Sequence, residues 1–391
     1  MSYLNNTGTN TAGMRYLLLF FLILFTSSVD CHAAEVILSP SIRGEISYDD
    51  NISFSRISEE HDFILSILPG AGLIYRTDTL NFETGIRGNL SRFKKHDELD
   101  QNHYNLNLGA SANLSERFSL NGSAVHSRES TLDSELSETG IITQRSDVDR
   151  GSLGMGLTCV LNEKSRIALN SSWFRTDYES GRNVDYDGSS ASLTFSRIMN
   201  TGTDTLFLQP YFSENSSFFS SMESMGLYTG WSRDVSETFS FKAYIGARRS
   251  ETSYYFMEEK NWGWLVDFSL DKTGETWKAG IALTRDLKFS SMGDPVETDK
   301  LKISFSKKFT EKFSYIFSGS IIGTESAGLI NTRDTMYYSL NNSWSYLIKK
   351  DLILRLSYIY SFSHDSMRET EKNVDRNRVT VSLSYSFKEE L

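Results

Sequence analysis

Five histidines are the residues best suited to acid–base or metal chemistry after the first 34 positions, and none has the partners that such chemistry needs. All lie in or beside segments predicted to be loops: His61, His96, His103, His126 and His364. No Gly-x-Ser-x-Gly motif and no paired spacing of metal ligands accompanies them. The sequence therefore predicts surface histidines, no enzyme, no catalytic residue, no metal site and no cofactor.

A second group of candidate residues is charged and occupies alternate positions in segments whose other positions are apolar. The group contains Arg43, Glu45, Glu83, Arg87, Lys242, Arg248, Asp267, Lys278, Lys302, Arg355 and Arg378. Cations outnumber anions in it, and a ring of Lys and Arg favours anionic solutes. If this face encloses water, we expect a mild preference for anions. The alternative is that opposite charges, such as Arg87 and Glu83, pair across the lumen.

The same alternation continues without charges in the final segment, Val379 to Phe387. Its odd positions are apolar and its even positions, from Thr380 to Ser386, are small hydroxyl residues. A period of two residues indicates a β-strand with one apolar and one polar face. About nine residues suffice for a tilted strand to cross the hydrocarbon of a bilayer. The segment is therefore typical of a transmembrane strand.

About eighteen such segments follow one another from residue 42 to the end, which predicts an all-β, transmembrane, antiparallel up-and-down barrel of 16 to 18 strands. The second segment, around Phe63 to Tyr75, contains Pro69 and Gly70 and predicts an edge, a bulge or a bend. Aromatic residues near strand ends, such as Trp344 and Tyr358, fit the two membrane interfaces. An ordinary packed core is the alternative for these rings.

The predicted connections alternate between tight turns and longer polar stretches. Tight turns include residues 76–79, 115–117 and 272–275. The longer stretches are residues 94–102, 127–150, 176–187, 251–261, 290–299, 324–334 and 364–373. Barrels of the bacterial outer membrane have short periplasmic turns and long extracellular loops. We therefore expect the tight turns on the periplasmic side, and a location in the outer membrane of a Gram-negative bacterium.

The N-terminal region predicts export. Met14-Arg15 precedes a ten-residue apolar run from Tyr16 to Phe25, which is too short for a permanent transmembrane helix and is typical of a signal peptide. We expect cleavage near Ala33 or Ala34, so that residues 1–34 form an extension and leader and residues 35–391 form the barrel. Asp30 disfavours a lipoprotein site at Cys31, and Cys159 is then left without a disulfide partner.

The overall charge excludes a nucleic-acid partner. The chain has 50 acidic and 40 basic residues, with a net charge of -10, and lacks the clustered cations that bind phosphates. The partners we expect are outer-membrane lipid, lipopolysaccharide and the barrel-assembly machinery. Inward Tyr211, Tyr244 and Tyr337, among many Asn and Ser, would also suit a sugar chain.

The stretch from Ser39 to Phe54, and above all Tyr48-Asp49-Asp50-Asn51, resembles the start of the β-barrel porin 2 family. This resemblance implies an outer-membrane porin layout and an association with exopolysaccharide export or exosortase-type sorting. Two functions stay open. One is a porin-like channel that passes small solutes or assists polysaccharide export. The other is a non-conducting surface barrel whose loops, notably residues 127–150, bind a partner or act as an adhesin, although that stretch is also long enough to fold inward.

Overall fold

The structure is a computed structural model that describes residues 34–141, 145–199, 202–327, 333–367 and 370–390. The predicted extension and leader lie outside these residues, apart from Ala34. Tyr16 to Phe25, Cys31 and Ala33 therefore stay predictions.

Within the described residues, eighteen long antiparallel strands form one sheet. They are β1 (Glu35–Asp49), β2 (Asp62–Arg76), β3 (Leu80–Phe93), β4 (Gln101–Asn113), β5 (Phe118–Ser130), β6 (Asp147–Asn162), β7 (Ser165–Tyr178), β8 (Tyr186–Ile198), β9 (Asp204–Ser217), β10 (Ser220–Ser236), β11 (Phe239–Tyr254), β12 (Glu258–Thr273), β13 (Trp277–Phe289), β14 (Pro295–Lys308), β15 (Phe313–Ser326), β16 (Arg333–Lys349), β17 (Leu352–Met367) and β18 (Thr370–Ser386). A two-residue strand, β19 (Glu389–Glu390), extends the last one along β1.

Each strand pairs with its neighbours in sequence, and the sheet closes on itself. β1 pairs with β2 along its whole length and with β18 from Ser41–Ser386 to Asp49–Arg378. Closure leaves no free sheet edge, which is the condition for a β-structure to cross a bilayer. The predicted fold class, an antiparallel barrel of about eighteen strands, is confirmed.

A short helix, α1 (Thr131–Glu138), marks which face of the sheet is the inner one. It follows β5 and enters the barrel, where it packs against Ile322 and Tyr337. The residues beside these two in sequence, Ile321 and Tyr338, therefore point outward. By the same alternation, the outer face of β18 presents Val381 and Leu383, which are 48% and 45% exposed.

The outer face is apolar on every strand, with large exposed side chains such as Ile46, Leu227, Trp264 and Leu356. An apolar surface that surrounds the whole molecule requires lipid rather than water. The chain thus has the architecture of the transmembrane barrels of bacterial outer membranes.

Proline interrupts the ladder of β2 as the sequence suggested, but β2 is not an edge strand. It pairs with β1 on one side and with β3 on the other. The pairing with β3 holds at Ile67–Leu90 and again at Gly70–Arg87. Between these two pairs, Leu68 and Pro69 have no partner in β3. Proline has no amide hydrogen to give to a ladder, which explains the gap.

Most of the predicted long loops are shorter than expected. Tight turns of two to five residues lie at one end of the barrel, but β11 and β12 also meet across only residues 255–257 at the other end. The prediction of a loop over 251–261 was therefore wrong, and so were the loop positions of His103, His126 and His364, which lie in β4, β5 and β17. His103 is also buried, at 6% exposed, and so is not a surface histidine. A polar stretch marks the point at which a strand leaves the hydrocarbon layer of the membrane. Strand pairing continues beyond that point, so the polar stretch is longer than the loop.

Candidate functional site

The described part of the β5–β6 loop, residues 131–141 and 145–146, lies inside the barrel and begins with α1. The hydroxyl of Ser130 accepts a hydrogen bond from the Leu132 amide at 3.3 Å, which caps the helix. The helix ends before Gly140, which has a φ of +69° and donates its amide hydrogen to the Glu135 carbonyl. This left-handed glycine turns the chain back toward β6.

The apolar side of α1 packs against the wall opposite to the strands that carry it. Leu132 and Leu136 are 4% and 3% exposed, and they form one cluster with partners from distant strands and from the β1–β2 loop: Phe54, Ile322, Tyr337 and Val374. β5 and β15 are eight positions apart by the shorter way around the ring of eighteen strands, close to the maximum of nine. The helix therefore crosses the lumen rather than lying along its own wall.

Polar contacts fix the same docked position. The Thr324 hydroxyl and the Lys300 ammonium donate to the carbonyls of Thr139 and Ser137. At Gly140 an added Cβ would lie 2.8 Å from the Cβ of Tyr337, so the loop backbone approaches β16 as closely as a glycine permits. Strands β14 to β16 of the far wall thus hold the loop.

A buried charge cluster anchors the near side of α1. Arg150 of β6 donates to Glu135 at 2.5 Å and to Glu138 at 2.6 Å, and the Tyr178 hydroxyl donates to Glu135 at 2.6 Å. Burial raises the pKa of the Glu135 carboxyl, and the Arg150 guanidinium lowers it in part. Removing Arg150 would leave a carboxylate that is 1% exposed without its cation.

A second loop narrows the same end of the barrel. Residues 290–294, between β13 and β14, contact the β9–β10 turn, where the Ser220 hydroxyl donates to the Gly293 carbonyl at 2.7 Å. The Val184 amide donates to the Ser291 carbonyl at 2.8 Å. Beneath this loop, apolar side chains from five strands form one cluster: Val148, Tyr178, Tyr186, Met222 and Phe289.

Two cavities remain on either side of α1. One of about 660 Å³ lies between the helix and the wall from β7 to β10, and Glu138, Arg150, Asp286 and Lys288 are among its charged lining residues. The other, of about 370 Å³, lies on the far side of α1, where Asp133, Arg376 and Arg378 contribute to its lining. The lumen is thus narrowed and carries charges of both signs.

All the predicted lumen residues occupy the face that α1 marks as inner, but they do not form one cluster. Arg43 pairs with Glu45 at 3.3 Å, and Arg355 donates to the Ser345 hydroxyl at 3.2 Å. Asn81 donates to Glu83 at 3.0 Å. The remaining members are distributed around the ring: Arg87, Lys242, Arg248, Asp267, Lys278, Lys302 and Arg378.

Arg248 differs from the other predicted cations because it is 2% exposed. Its guanidinium lies against Gly263 of β12 and pairs with Glu297 of β14. The β12–β13 ladder ends at Val266–Arg285, and Arg285 also pairs with Glu297. Arg248 therefore fills a short interruption of the wall and is not available to a solute.

Several inward charges that border the constriction are not among the predicted residues: Glu135, Arg150, Asp286, Lys288, Lys300 and Arg376. The parity that selected Lys302 also selects Lys300, so this residue could have been found. Arg150 was assigned to a loop, although β6 begins before it. Arg376 pairs with the buried Asp49 at 2.5 Å, a contact between the two ends of the sheet that no local pattern reveals.

No group of three or more residues of the types His, Cys, Asp and Glu could hold a metal ion in the part of the chain that the structure describes. Among the same residues, no helix is long and apolar enough to cross a bilayer.

Comparisons with known proteins give similar barrels only at low identity. OccK9 (OpdG) of Pseudomonas aeruginosa is 14% identical, over 90% of this chain and 98% of that chain, with a TM-score of 0.45. OccK2 (OpdF) of the same organism, solved in complex with glucuronate, is 12% identical over the same shares, with a TM-score of 0.48. OccAB2 of Acinetobacter baumannii is 11% identical, over 91% of this chain and 98% of that chain, with a TM-score of 0.47.

These similarities carry no argument about solute or mechanism, and the barrel assignment depends on the strand pairing. No protein-family model matches the chain, and no curated protein matches it. Membership of the β-barrel porin 2 family is therefore still a resemblance in the entry segment only.

Proposed function

We propose that this protein is a passive channel for small solutes in the outer membrane of a Gram-negative bacterium, with α1 as its constriction. The observation that carries the proposal is the docking of α1 across the lumen, which leaves a polar cavity of about 660 Å³ beside it. Eighteen strands enclose an interior wide enough to conduct unless something fills it. A loop folded inward reduces that interior to the size of small solutes.

The inner charges support a preference for anions. Only Arg43 and Arg248 of the predicted cations make ion pairs among the described residues. The other six make none: Arg87, Lys242, Lys278, Lys302, Arg355 and Arg378. The alternative was that opposite charges pair across the lumen, with Arg87 and Glu83 as the example. These two residues do not pair in the structure. Unpaired cations along a water-filled path attract anions and repel cations.

The alternative, a non-conducting barrel with a binding loop, has less support. In its best candidate segment, residues 127–150, the described residues are strand ends and a loop portion that enters the barrel. Polysaccharide export, implied by the resemblance, has no observation of its own and stays a prediction.

Planar-bilayer recording of the purified protein tests the proposal. We expect steady single channels, and a reversal potential in a KCl gradient that has the sign of chloride preference. Absence of conductance from protein that is folded and inserted would contradict the channel. A cation-selective reversal potential would contradict the anion preference alone.

A further inference from the structure

One side of the lumen carries two neighbouring pairs of aromatic rings that the constriction does not use. Phe207 and Tyr211 of β9, Tyr228 of β10 and Tyr244 of β11 all have the parity of the inner face. Ring centroids are 5.5 Å apart for Tyr211 and Tyr228, and 5.3 Å apart for Phe207 and Tyr244. We call these four residues the aromatic wall.

Glycines on the neighbouring strands hold the tyrosine rings flat against the sheet. An added Cβ would lie 2.5 Å from Tyr211 Cε1 at Gly226, 2.3 Å from Tyr244 Cδ1 at Gly230, and 3.1 Å from Tyr228 Cδ1 at Gly246. Each ring therefore covers a position without a side chain. A ring in this arrangement has one face on the backbone and directs the other toward the lumen.

Hydrogen-bonding groups surround the wall. Tyr211 and Tyr228 line the cavity of about 660 Å³ together with Gln209, Asn215 and Asp286. Asp267 is paired in register with Tyr244 on the adjacent strand. All four rings are half-buried, and those of Tyr211 and Tyr228 are accessible to a solute in the cavity.

This combination fits one class of solute. A pyranose sugar has a face of C–H groups that stacks on an aromatic ring and a rim of hydroxyls that needs donors and acceptors. A purely apolar solute would leave the amides and carboxylates of the cavity without partners. An anion on the wall would lie close to Asp286.

We propose that the aromatic wall binds pyranose sugars by stacking, with Gln209, Asn215 and Asp286 contacting their hydroxyls. The proposal rests on the proposed channel for access of the sugar to the lumen. The binding itself depends on the four rings and on the polar residues Gln209, Asn215 and Asp286. The competing role for the rings is structural, since an aromatic side chain over a cross-strand glycine also stabilises a sheet.

Current block by sugars in planar bilayers tests the wall. Maltose added to an open channel is expected to interrupt the current reversibly, whereas mannitol, an acyclic polyol without a ring face, is expected to have no effect. The double variant Tyr211→Ala and Tyr228→Ala is expected to weaken the block by about tenfold, because each stacked ring contributes modestly. Tyr338→Ala, an outward-facing tyrosine of β16, is the matched control and should leave the block unchanged.

Gly230→Ala separates binding from stability. The new methyl group displaces the Tyr244 ring without removing it, so the block should weaken although every ring is still present. Tyr228→Phe, which keeps the ring, should retain most of the block. Two results would overturn the sugar proposal and leave the channel proposal standing. One is a wild-type channel that conducts but is not blocked by maltose, and the other is an alanine double variant that maltose blocks as strongly as the wild type.

If the protein does not conduct, the channel proposal fails and the wall is tested by calorimetric titration of maltose into the detergent-solubilised protein. Binding that the double variant loses would support the wall without the channel. Absence of binding would overturn it.

Discussion

Releasing α1 from the opposite wall should open the pore. Leu132 and Leu136 are almost fully buried against Ile322, Tyr337 and Val374. Truncation of a buried leucine to alanine typically costs about 2 to 5 kcal/mol. The two leucines share partners, so their effects need not add. A combined loss of about 4 kcal/mol would shift the ratio of docked to released helix by about 10³.

The variant Leu132→Ala and Leu136→Ala should therefore show larger single-channel conductance, or frequent transitions to a larger open level. The barrel should stay folded, because its strand ladders do not involve α1, and heat-modifiable migration in SDS gels checks this. Leu356→Ala, which removes a leucine of equal size from the outer face, is the control. Unchanged conductance in a folded double variant would refute the assignment of α1 as the constriction.

Three further predictions follow from the same contacts. Gly140→Ala should raise conductance, because alanine is strained at a φ of +69° and its Cβ would clash with Tyr337; Gly181→Ala, with open space around the position, should not. Burial raises the pKa of Glu135 in the docked loop above that of a released loop, so docking gains stability as the pH falls through the raised value and loses it above that value. Conductance should thus decrease on acidification, and Glu135→Gln should remove this dependence. The triple variant Lys242→Glu, Lys278→Glu and Lys302→Glu, which replaces three inward lysines, should move the reversal potential toward cation preference. The outward Lys307→Glu should leave it unchanged.

The membrane-spanning part of the fold was predictable because it depends on a local period of two. The predicted strand Val379 to Phe387 covers the C-terminal half of β18 and one residue beyond its end at Ser386, and the pattern identifies its outer face correctly. The strand itself begins at Thr370, because the ladder continues where lipid no longer imposes alternation. The same reason explains why loops predicted from polarity alone were too long.

The constriction was harder to predict, although the sequence contains part of its signal. Ser130 followed by Asp133, with Leu132 and Leu136 four residues apart, is typical of a capped amphipathic helix. Ile322 next to Ile321 breaks the alternation of β15 and marks an inward apolar contact. What the sequence cannot supply is the pairing of these two signals, since they are almost 200 residues apart and meet only when the barrel closes.

The central claim is that alternate residues of the wall face water and lipid around a conducting lumen. Single-cysteine labelling in native membranes, in a Cys159→Ser background, tests it most directly. Arg87→Cys and Lys302→Cys, on the inner face, should react with a water-soluble maleimide. The adjacent Ile86→Cys and Ile303→Cys, on the outer face, should be protected. Equal labelling within each pair would contradict the account.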